Sequence, residues 1–167
     1  MKVYIETDRL IIRDPVIDDF TTIWKMRNDS VVTLYTGGVT KCSKEELLKR
    51  HVKSCNNTED IPKEYAVILK ATNTYIGYCG FQYCDVLGGL EILYGFSKDH
   101  WGKGYANEAA QAVLTFGVET LGLKEIVAAV HPNNVASEKV LRHIGMAYDG
   151  EVEWPQQGKV RRYKFSE

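Results

Sequence analysis

Two glycines, Gly102 and Gly104, are separated by one residue and lie between an apolar run and a segment with helical periodicity. The backbone N–H groups that begin a helix have no partner within the helix, and they lie at the positive end of its dipole. Because glycine has no Cβ, a ligand can approach these groups closely. The segment from Leu90 to Ala110 therefore predicts a binding site for an anion such as phosphate.

Two common phosphate-binding loops do not fit this segment. A P-loop requires four residues between its first glycine and a Gly-Lys-Ser/Thr ending, whereas Lys103 alone separates these glycines and Tyr105 follows them. A dinucleotide-binding fingerprint requires a third Gly or Ala where this chain has Asn107. An ordinary turn between a strand and a helix remains the alternative to an anion site.

The residues Trp101 to Ala106, which read WGKGYA, resemble the Q/R-x-x-G-x-G/A loop of the GNAT acyl-CoA N-acyltransferases. With Trp101 in place of Gln or Arg, the loop is similar to the branch that contains the ribosomal-protein N-terminal acetyltransferases. The resemblance implies that the loop amides bind the pyrophosphate of coenzyme A. It implies a cofactor site formed by Phe96, Ser97, Trp101, Gly102, Lys103, Gly104, Tyr105, Ala106, Asn134 and Ser137.

Two further segments resemble the same branch. Thr7 to Arg13 is similar to its TxRLxLR opening strand, and Asn134 to Met146 is similar to its NxxSxxxxxxxGF segment, with Met146 in place of Phe. The resemblance implies that Asn134 binds the pantetheine arm or a bridging water, and that Ser137 lies near the thioester sulfur and protonates the departing thiolate. From the residue types alone, the alternatives are a helix cap for Asn134 and a first-turn hydrogen bond for Ser137.

Glu91 matches the glutamate of the family's EIGY strand, which reads EILY here with Leu93 in place of glycine. The resemblance implies that Glu91 binds or deprotonates the acceptor amine, directly or through water. A solvated or salt-bridged strand glutamate is the alternative. We expect Tyr94, Phe96 and Trp101 to be packing residues rather than catalysts, while a backbone N–H near Phe96 stabilises the oxyanion.

The composition is typical of a globular protein with one domain, residues 1–167. Hydrophobic residues make up 44% and charged residues 26%, and the net charge of -1 provides no electrostatic basis for nucleic-acid binding. Charges interrupt the apolar positions of the N-terminal segment, so we expect no signal peptide, no membrane partner and a cytoplasmic location. The four cysteines form no C-x-x-C pair and the histidines show no ligand spacing, so we expect no metal.

The N-terminal third predicts a strand and two helices. Alternating residues indicate one strand from Val3 to Arg13, and a helical run begins at Asp18 and fades near Asn28. Ser43, followed three residues later by Glu46, predicts an N-cap and a helix that ends near Cys55.

The rest of the chain predicts a mixed sheet. Apolar runs over residues 65–69, 75–81 and 90–96 predict neighbouring antiparallel strands. A mostly buried helix and a strand over 125–130 then form a β-α-β unit, which requires a parallel pair with a right-handed crossover. A helix over 135–144 follows, and Lys159 to Phe165 is interpreted as an edge strand with charged residues.

Together these patterns predict one GNAT-like α/β (α+β) domain. Its central sheet is mixed and mostly antiparallel, contains a parallel pair whose strands splay apart, and is flanked by about four helices. The implied activity is transfer of the acetyl group of the co-substrate acetyl-CoA to a primary amine by a monomer or homodimer. We expect residues 28–42, 56–63 and 154–159 to read the acceptor.

A peptide α-amine is the preferred acceptor, because its reference pKa of about 7.7–8.0 leaves far more neutral amine at pH 7 than the value of about 10.4 for lysine. Few carboxylates are available as a base, namely Glu91 and then Glu151 or Glu153. The alternatives are a small-molecule amine, such as a polyamine, amino acid or aminoglycoside, and a catalytically weak acyl-CoA-binding sensor.

Overall fold

The computed structural model describes residues 1–166 of the 167-residue chain. Within that range there are eight strands and four α-helices. The strands are β1 (Val3–Glu6), β2 (Leu10–Arg13), β3 (Lys63–Leu69), β4 (Thr74–Cys84), β5 (Gly89–Phe96), β6 (Glu125–Val130), β7 (Ala147–Trp154) and β8 (Gly158–Ser166). The helices are α1 (Phe20–Arg27), α2 (Lys44–Cys55), α3 (Tyr105–Glu119) and α4 (Val135–His143), and 3-10 turns lie at Ile17–Asp19 and Lys98–His100.

All eight strands form one sheet in the order β1-β2-β3-β4-β5-β6-β8-β7. Neighbouring strands are antiparallel except β5 and β6, which are parallel and share the register pair Glu91 and Val127. The predicted mixed sheet with one parallel pair is therefore confirmed. The two parallel strands belong to the β-α-β unit that contains the glycine turn.

The N-terminal segment is a hairpin, so the prediction of one strand from Val3 to Arg13 is wrong. The chain reverses at Thr7, whose N–H donates to the Leu10 carbonyl at 3.0 Å and whose Oγ1 accepts from the Leu10 N–H at 3.0 Å. Alternation continues on both sides of this short turn, and a period-2 pattern does not reveal a reversal between two strands.

The C-terminal strand β8 lies inside the sheet, so its interpretation as an edge strand is also wrong. It pairs with β6 on one side and with β7 on the other, and β7 forms the edge. Tyr163 of β8 is completely buried opposite Ala128 of β6. The charged residues that suggested an edge form ion pairs with acidic side chains, including Lys164 with Glu125 at 2.7 Å.

Helix α3 packs on one face of the sheet, as its apolar pattern predicts. Its buried residues are Ala109, Ala110, Val113, Leu114 and Gly117. A Cβ added at Gly117 would lie 2.7 Å from Cζ of Phe81, so the helix and β4 approach too closely for a larger residue. This packing holds the first turn of α3 beside the end of β5.

Helices α1 and α2 cover the opposite face. The guanidinium carbon of Arg27, at the end of α1, lies 5.2 Å from the centre of the Tyr78 ring on β4. Helix α2 begins with the predicted capping box, in which the Ser43 N–H donates to Glu46 at 2.9 Å and Ser43 Oγ accepts from the Glu46 N–H at 3.2 Å. The sheet is therefore a wall between α3 and α4 on one side and α1 and α2 on the other.

Candidate active site

The glycine turn has the backbone conformation that an anion site requires. Gly104 is the N-cap of α3 with a φ of +81°, and Gly102 has a φ of +72°, a region that other residues adopt only with strain. Gly104 provides no side chain to cap α3, so the first N–H groups of α3 remain available to a ligand. A Cβ at Gly102 would meet no atom within 4 Å, so the turn is also open above the backbone.

The N-terminal hairpin clamps this turn through Arg9. The guanidinium of Arg9 donates to the Lys103 carbonyl at 2.8 Å and to Glu108 of α3 at 2.6 Å. Glu108 also accepts from Thr7 Oγ1 at 2.5 Å. Burial alone would raise the pKa of Glu108, but the hydrogen bonds from Thr7 and Arg9 outweigh it and lower that pKa. Two of the segments that resemble the family motifs are therefore in direct contact, which no local pattern indicates.

Trp101 anchors the other end of the turn, and its expected packing role is wrong. Its side chain is 47% exposed, and its indole N–H donates to the Phe96 carbonyl at 2.8 Å. A turn at the surface leaves the ring half in solvent, so the hydrogen bond holds it rather than burial. Lys103 extends away to donate to the Asp99 carbonyl at 2.9 Å.

The end of β5 presents backbone groups to the gap between β5 and β6. The N–H of Ser97 donates to the Ile76 carbonyl of β4 at 2.9 Å. Because successive residues of a strand direct their N–H groups to opposite sides, the N–H of Phe96 points away from β4. The Phe96 side chain is only 6% exposed, so its role as a predicted site residue rests on this backbone group.

A cleft of about 310 Å³, called here the inner cleft, opens between β5 and β6 on the far side of the register pair Glu91 and Val127. Its walls include the three predicted site residues Glu91, Asn134 and Ser137. Tyr94 also lines it. Residues from β5 and from the start of α4 therefore meet in one small space.

Tyr94 and Ser137 form a pair of hydroxyl groups in the inner cleft. Their oxygens are 3.0 Å apart, and the Tyr94 hydroxyl is also 3.1 Å from the Ser137 carbonyl. Burial raises the pKa of Tyr94, so its hydroxyl stays protonated at neutral pH. The Tyr94 ring packs against the core as predicted, but the sequence did not reveal its polar role, because 43 positions separate the two residues.

Asn134 caps α4, which agrees with its helix-cap interpretation. Its Oδ1 accepts from the Ser137 N–H at 3.2 Å. This bond leaves the Asn134 amide nitrogen without a partner among residues 1–166. One side chain can therefore cap the helix and still donate to a ligand in the inner cleft.

Glu91 is the carboxylate that closes the inner cleft. It is 7% exposed and accepts from Gln82 Nε2 at 2.9 Å. Burial raises its pKa, while hydrogen bonds from Gln82 and from the Ala129 backbone act in the opposite direction. A raised pKa makes Glu91 a stronger base than an exposed glutamate. The other two candidate bases, Glu151 and Glu153, are exposed on β7 outside the inner cleft.

A larger cavity of about 1110 Å³, called here the outer cavity, joins the inner cleft on the α1 and α2 side of the sheet. Both spaces are lined by Arg27, Thr36, Glu64, Tyr78 and Gln82, so the two are adjacent. Each of the three segments expected to read the acceptor contributes lining residues to one space or the other. The sequence-based interpretation did not single out Glu64, whose carboxylate lies 3.6 Å from the Arg27 guanidinium and whose pKa is raised by burial.

These features fit coenzyme A. The open turn and uncapped amides suit a pyrophosphate, the free side of β5 suits the amides of a pantetheine arm, and the hydroxyl pair suits a sulfur at the end of that arm. Among residues 1–166, no group of three or more His, Cys, Asp or Glu side chains is arranged to hold a metal ion. Within the same range, no helix combines the length and apolar character needed to cross a membrane.

Comparison with known proteins identifies one family. The family described as the acetyltransferase (GNAT) domain matches residues 9–147. An uncharacterised N-acetyltransferase, p20, from Bacillus licheniformis is 31% identical over 166 residues, which cover 96% of this chain and 93% of the relative.

Two solved structures share the fold. The ribosomal-protein-S5-alanine acetyltransferase of Vibrio fischeri has a TM-score of 0.81 at 19% identity, covering 99% of this chain and 97% of its own. The spermidine N-acetyltransferase of Vibrio cholerae, in complex with CoA and spermine, has a TM-score of 0.80 at 19% identity, covering 96% of each chain. At these identities the likeness extends to the fold alone, so neither structure identifies the acceptor of this chain.

Proposed function

The chain belongs to the GNAT acetyltransferase family, and from this premise we propose that it acetylates the α-amine at the N-terminus of a peptide or protein. The observation that carries the proposal is the inner cleft, which brings Glu91 together with the hydroxyl pair Tyr94 and Ser137. Glu91 and Tyr94 belong to β5, the strand that leads through the glycine turn to the uncapped N-terminus of α3. A base, a hydroxyl donor and an anion site are the groups that acetyl transfer from a thioester requires.

On the cofactor side, the chain binds mainly through its backbone. The amides that follow Gly104 hold the pyrophosphate, and the free side of β5 aligns the arm toward Tyr94 and Ser137. Bound acetyl-CoA supplies an acetyl group that is already activated as a thioester. The N–H of Phe96 is the proposed donor to the carbonyl oxygen as its negative charge develops.

On the acceptor side, the transfer requires two proton movements. The carbon–nitrogen bond forms as the amine loses a proton to Glu91, directly or through water. The carbon–sulfur bond breaks as the thiolate receives a proton from the hydroxyl pair, which contacts the sulfur through Ser137 or Tyr94. The raised pKa of Glu91 supports the first movement, and the protonated state of Tyr94 supports the second.

Glu91 is a stronger base than an exposed glutamate, but a carboxylate is still a far weaker base than a lysine amine, and this favours an α-amine as the acceptor. The hydrogen bond that Gln82 donates to Glu91 stabilises the charged carboxylate and so weakens it as a base. Deprotonating lysine at pH 7 costs roughly 3.3–3.7 kcal/mol more than deprotonating an α-amine. The combined space of the outer cavity and inner cleft also exceeds what a small amine fills, since small-molecule sites span about 300–1,000 Å³.

A polyamine is the second candidate, and Glu64 is the observation that favours it. A second carboxylate at the junction of the two spaces would suit a second ammonium group. Arg27 already lies against that carboxylate, however, so the junction is largely neutral. A sensor without turnover is the third candidate, but this function does not explain why the hydroxyls of Tyr94 and Ser137 are paired in the inner cleft.

The deciding experiment compares kcat/KM for a peptide with a free N-terminus, the same peptide N-blocked with an internal lysine, and spermidine. We expect the free N-terminus to be preferred. Preference for the blocked lysine peptide or for spermidine would overturn the proposed acceptor. Binding of acetyl-CoA without turnover on any amine would instead support the sensor.

A further inference from the structure

The outer cavity and the inner cleft differ in charge. The inner cleft contains the carboxylates Glu64 and Glu91 against one guanidinium, that of Arg27. Lysine and arginine side chains from α2 and from the segment before it line the outer cavity, namely Lys41, Arg50 and Lys53. The path to the cleft therefore changes from a basic wall to an acidic end.

The three cations of this basic wall are not neutralised by the protein. Within residues 1–166, none of them takes part in an ion pair or a side-chain hydrogen bond, and all three are exposed. The other basic residues of the outer cavity are compensated, because Arg27 faces Glu64 at 3.6 Å and Lys63 is buried against Asp14 at 2.8 Å. Glu64 is the single carboxylate among the described residues that line this cavity.

A wall of unpaired cations attracts anions and repels cations. An exposed ion pair changes an equilibrium by about 1.5- to 5-fold, and complementary charge raises the rate of association further. A polyamine carries several positive charges, so it would meet repulsion along the whole wall. In an acceptor that carries both an amine and carboxylates, the carboxylates would lie against the basic wall. The amine would lie against the carboxylates of the inner cleft.

We propose that the acceptor is a peptide whose α-amine is followed, within its first few residues, by aspartate or glutamate. This inference rests on the proposed function, because it uses Glu91 as the point where the amine reacts. The basic wall of Lys41, Arg50 and Lys53 binds the acidic side chains, and the amine extends past Glu64 into the inner cleft. The outer cavity is large enough for several residues of an extended chain.

The test uses three peptides that share a free N-terminal alanine and differ only in residues 2–5, which are all glutamate, all glutamine or all lysine. We expect kcat/KM to fall from the glutamate to the glutamine to the lysine peptide, by about 3- to 10-fold at each step in low salt. The differences should shrink in high salt, because exposed charges are screened. A dipeptide, Ala-Glu, distinguishes a peptide segment from a small acidic amine, and equal or better use of the dipeptide would overturn the peptide assignment.

Charge-reversal variants locate the effect. Arg50→Glu and Lys53→Glu should each reduce the preference for the glutamate peptide by about 3-fold or more. Lys49→Glu makes the same charge change on the same helix, but Lys49 does not line the outer cavity, so the order of the three peptides should persist. Unchanged melting temperatures establish that each variant is folded.

The outcomes separate this inference from the proposed function. Equal kcat/KM for the three peptides, or an equal shift in Lys49→Glu and Arg50→Glu, would overturn the acidic-peptide inference while acetylation of the α-amine stands. Acetyl-CoA binding without acetylation of any peptide would overturn the proposed acceptor itself, and this inference with it.

Discussion

The two sides of the site are built in different ways. On the cofactor side, Gly102, Gly104 and the first amides of α3 present backbone groups, and the contacts of Arg9 hold them in place. On the acceptor side, side chains from α1, α2, strands β3 and β4, and the segments 33–41 and 56–62 surround the outer cavity. A site formed by backbone groups keeps its geometry when most of the neighbouring side chains are substituted. A side-chain site changes with each substitution, so one fold can hold one cofactor and accept many amines.

The largest effect is expected from a substitution of Glu91, which lies where the cofactor side and the acceptor side of the site meet. Glu91→Gln removes the base without changing the shape of the side chain, so kcat/KM should fall by about 10²- to 10⁴-fold while affinity for acetyl-CoA is kept. Only the ionised carboxylate accepts a proton, so the wild-type rate should rise with pH through the raised pKa of Glu91, and the variant should lose that dependence. Steady-state kinetics across a pH series measures both effects, and an unaltered pH profile in the variant would assign the base to another group.

Gly104→Val tests the cofactor side. A φ of +81° strains any residue with a Cβ, so the turn and the amides that follow it should be disturbed, although the Cβ itself would be in ordinary contact with Arg9 Nη2 at 3.4 Å. We expect affinity for acetyl-CoA to fall by about 100-fold or more. Lys103→Ala is the matched control, because the Lys103 side chain donates only to the Asp99 carbonyl and its loss should change affinity little. Calorimetry on both variants decides, and full affinity in Gly104→Val would rule out the turn as the pyrophosphate site.

Ser137→Ala tests the hydroxyl pair with a smaller effect. The Ser137 hydroxyl meets developing charge only as the thiolate leaves, so kcat should fall by about 10-fold with cofactor affinity nearly kept. Tyr94→Phe should have a similar effect, and the double variant should lose less than the product of the two, because the hydroxyls act as a unit.

Asn134→Ala provides the contrast to Ser137→Ala. It removes the cap of α4, so it should lower stability by about 0.5–2 kcal/mol and weaken cofactor binding. Equal loss of binding in Asn134→Ala and Ser137→Ala, with no further loss of turnover, would reduce Ser137 to a structural residue.

The smallest expected effect concerns the clamp itself. The pKa of Glu108 is lowered in the folded protein, so its contribution to stability is present above its unfolded pKa and is lost as the pH falls through its folded pKa. Glu108→Gln should therefore lower the free energy of unfolding by about 1 kcal/mol at pH 7 and by less at acidic pH. Denaturant unfolding at both pH values measures the difference, and a constant difference would show that the carboxylate charge is not what holds the clamp.

The elements that depend on local signals were predicted well. The capping box of Ser43 and Glu46 satisfies two N–H groups within one turn of chain, so the start of α2 follows from neighbouring residues. The same holds for the cap at Asn134 and for the buried face of α3. Two predictions about strands were wrong: the single strand across Thr7 and the edge position of β8. In both cases the alternating pattern indicates a strand but does not indicate which strands pair with it.

The glycine turn, the helix that follows it and the parallel strand pair could be predicted from the sequence alone, because backbone conformation and crossover geometry are local constraints. Three contacts depend on the folded chain: Arg9 holds the turn, Tyr94 pairs with Ser137, and the basic side chains of α2 line the outer cavity. Each of these contacts joins residues far apart in the chain. Their distance is fixed by the packing of helices on the two faces of the sheet, and no spacing pattern in the sequence records that packing.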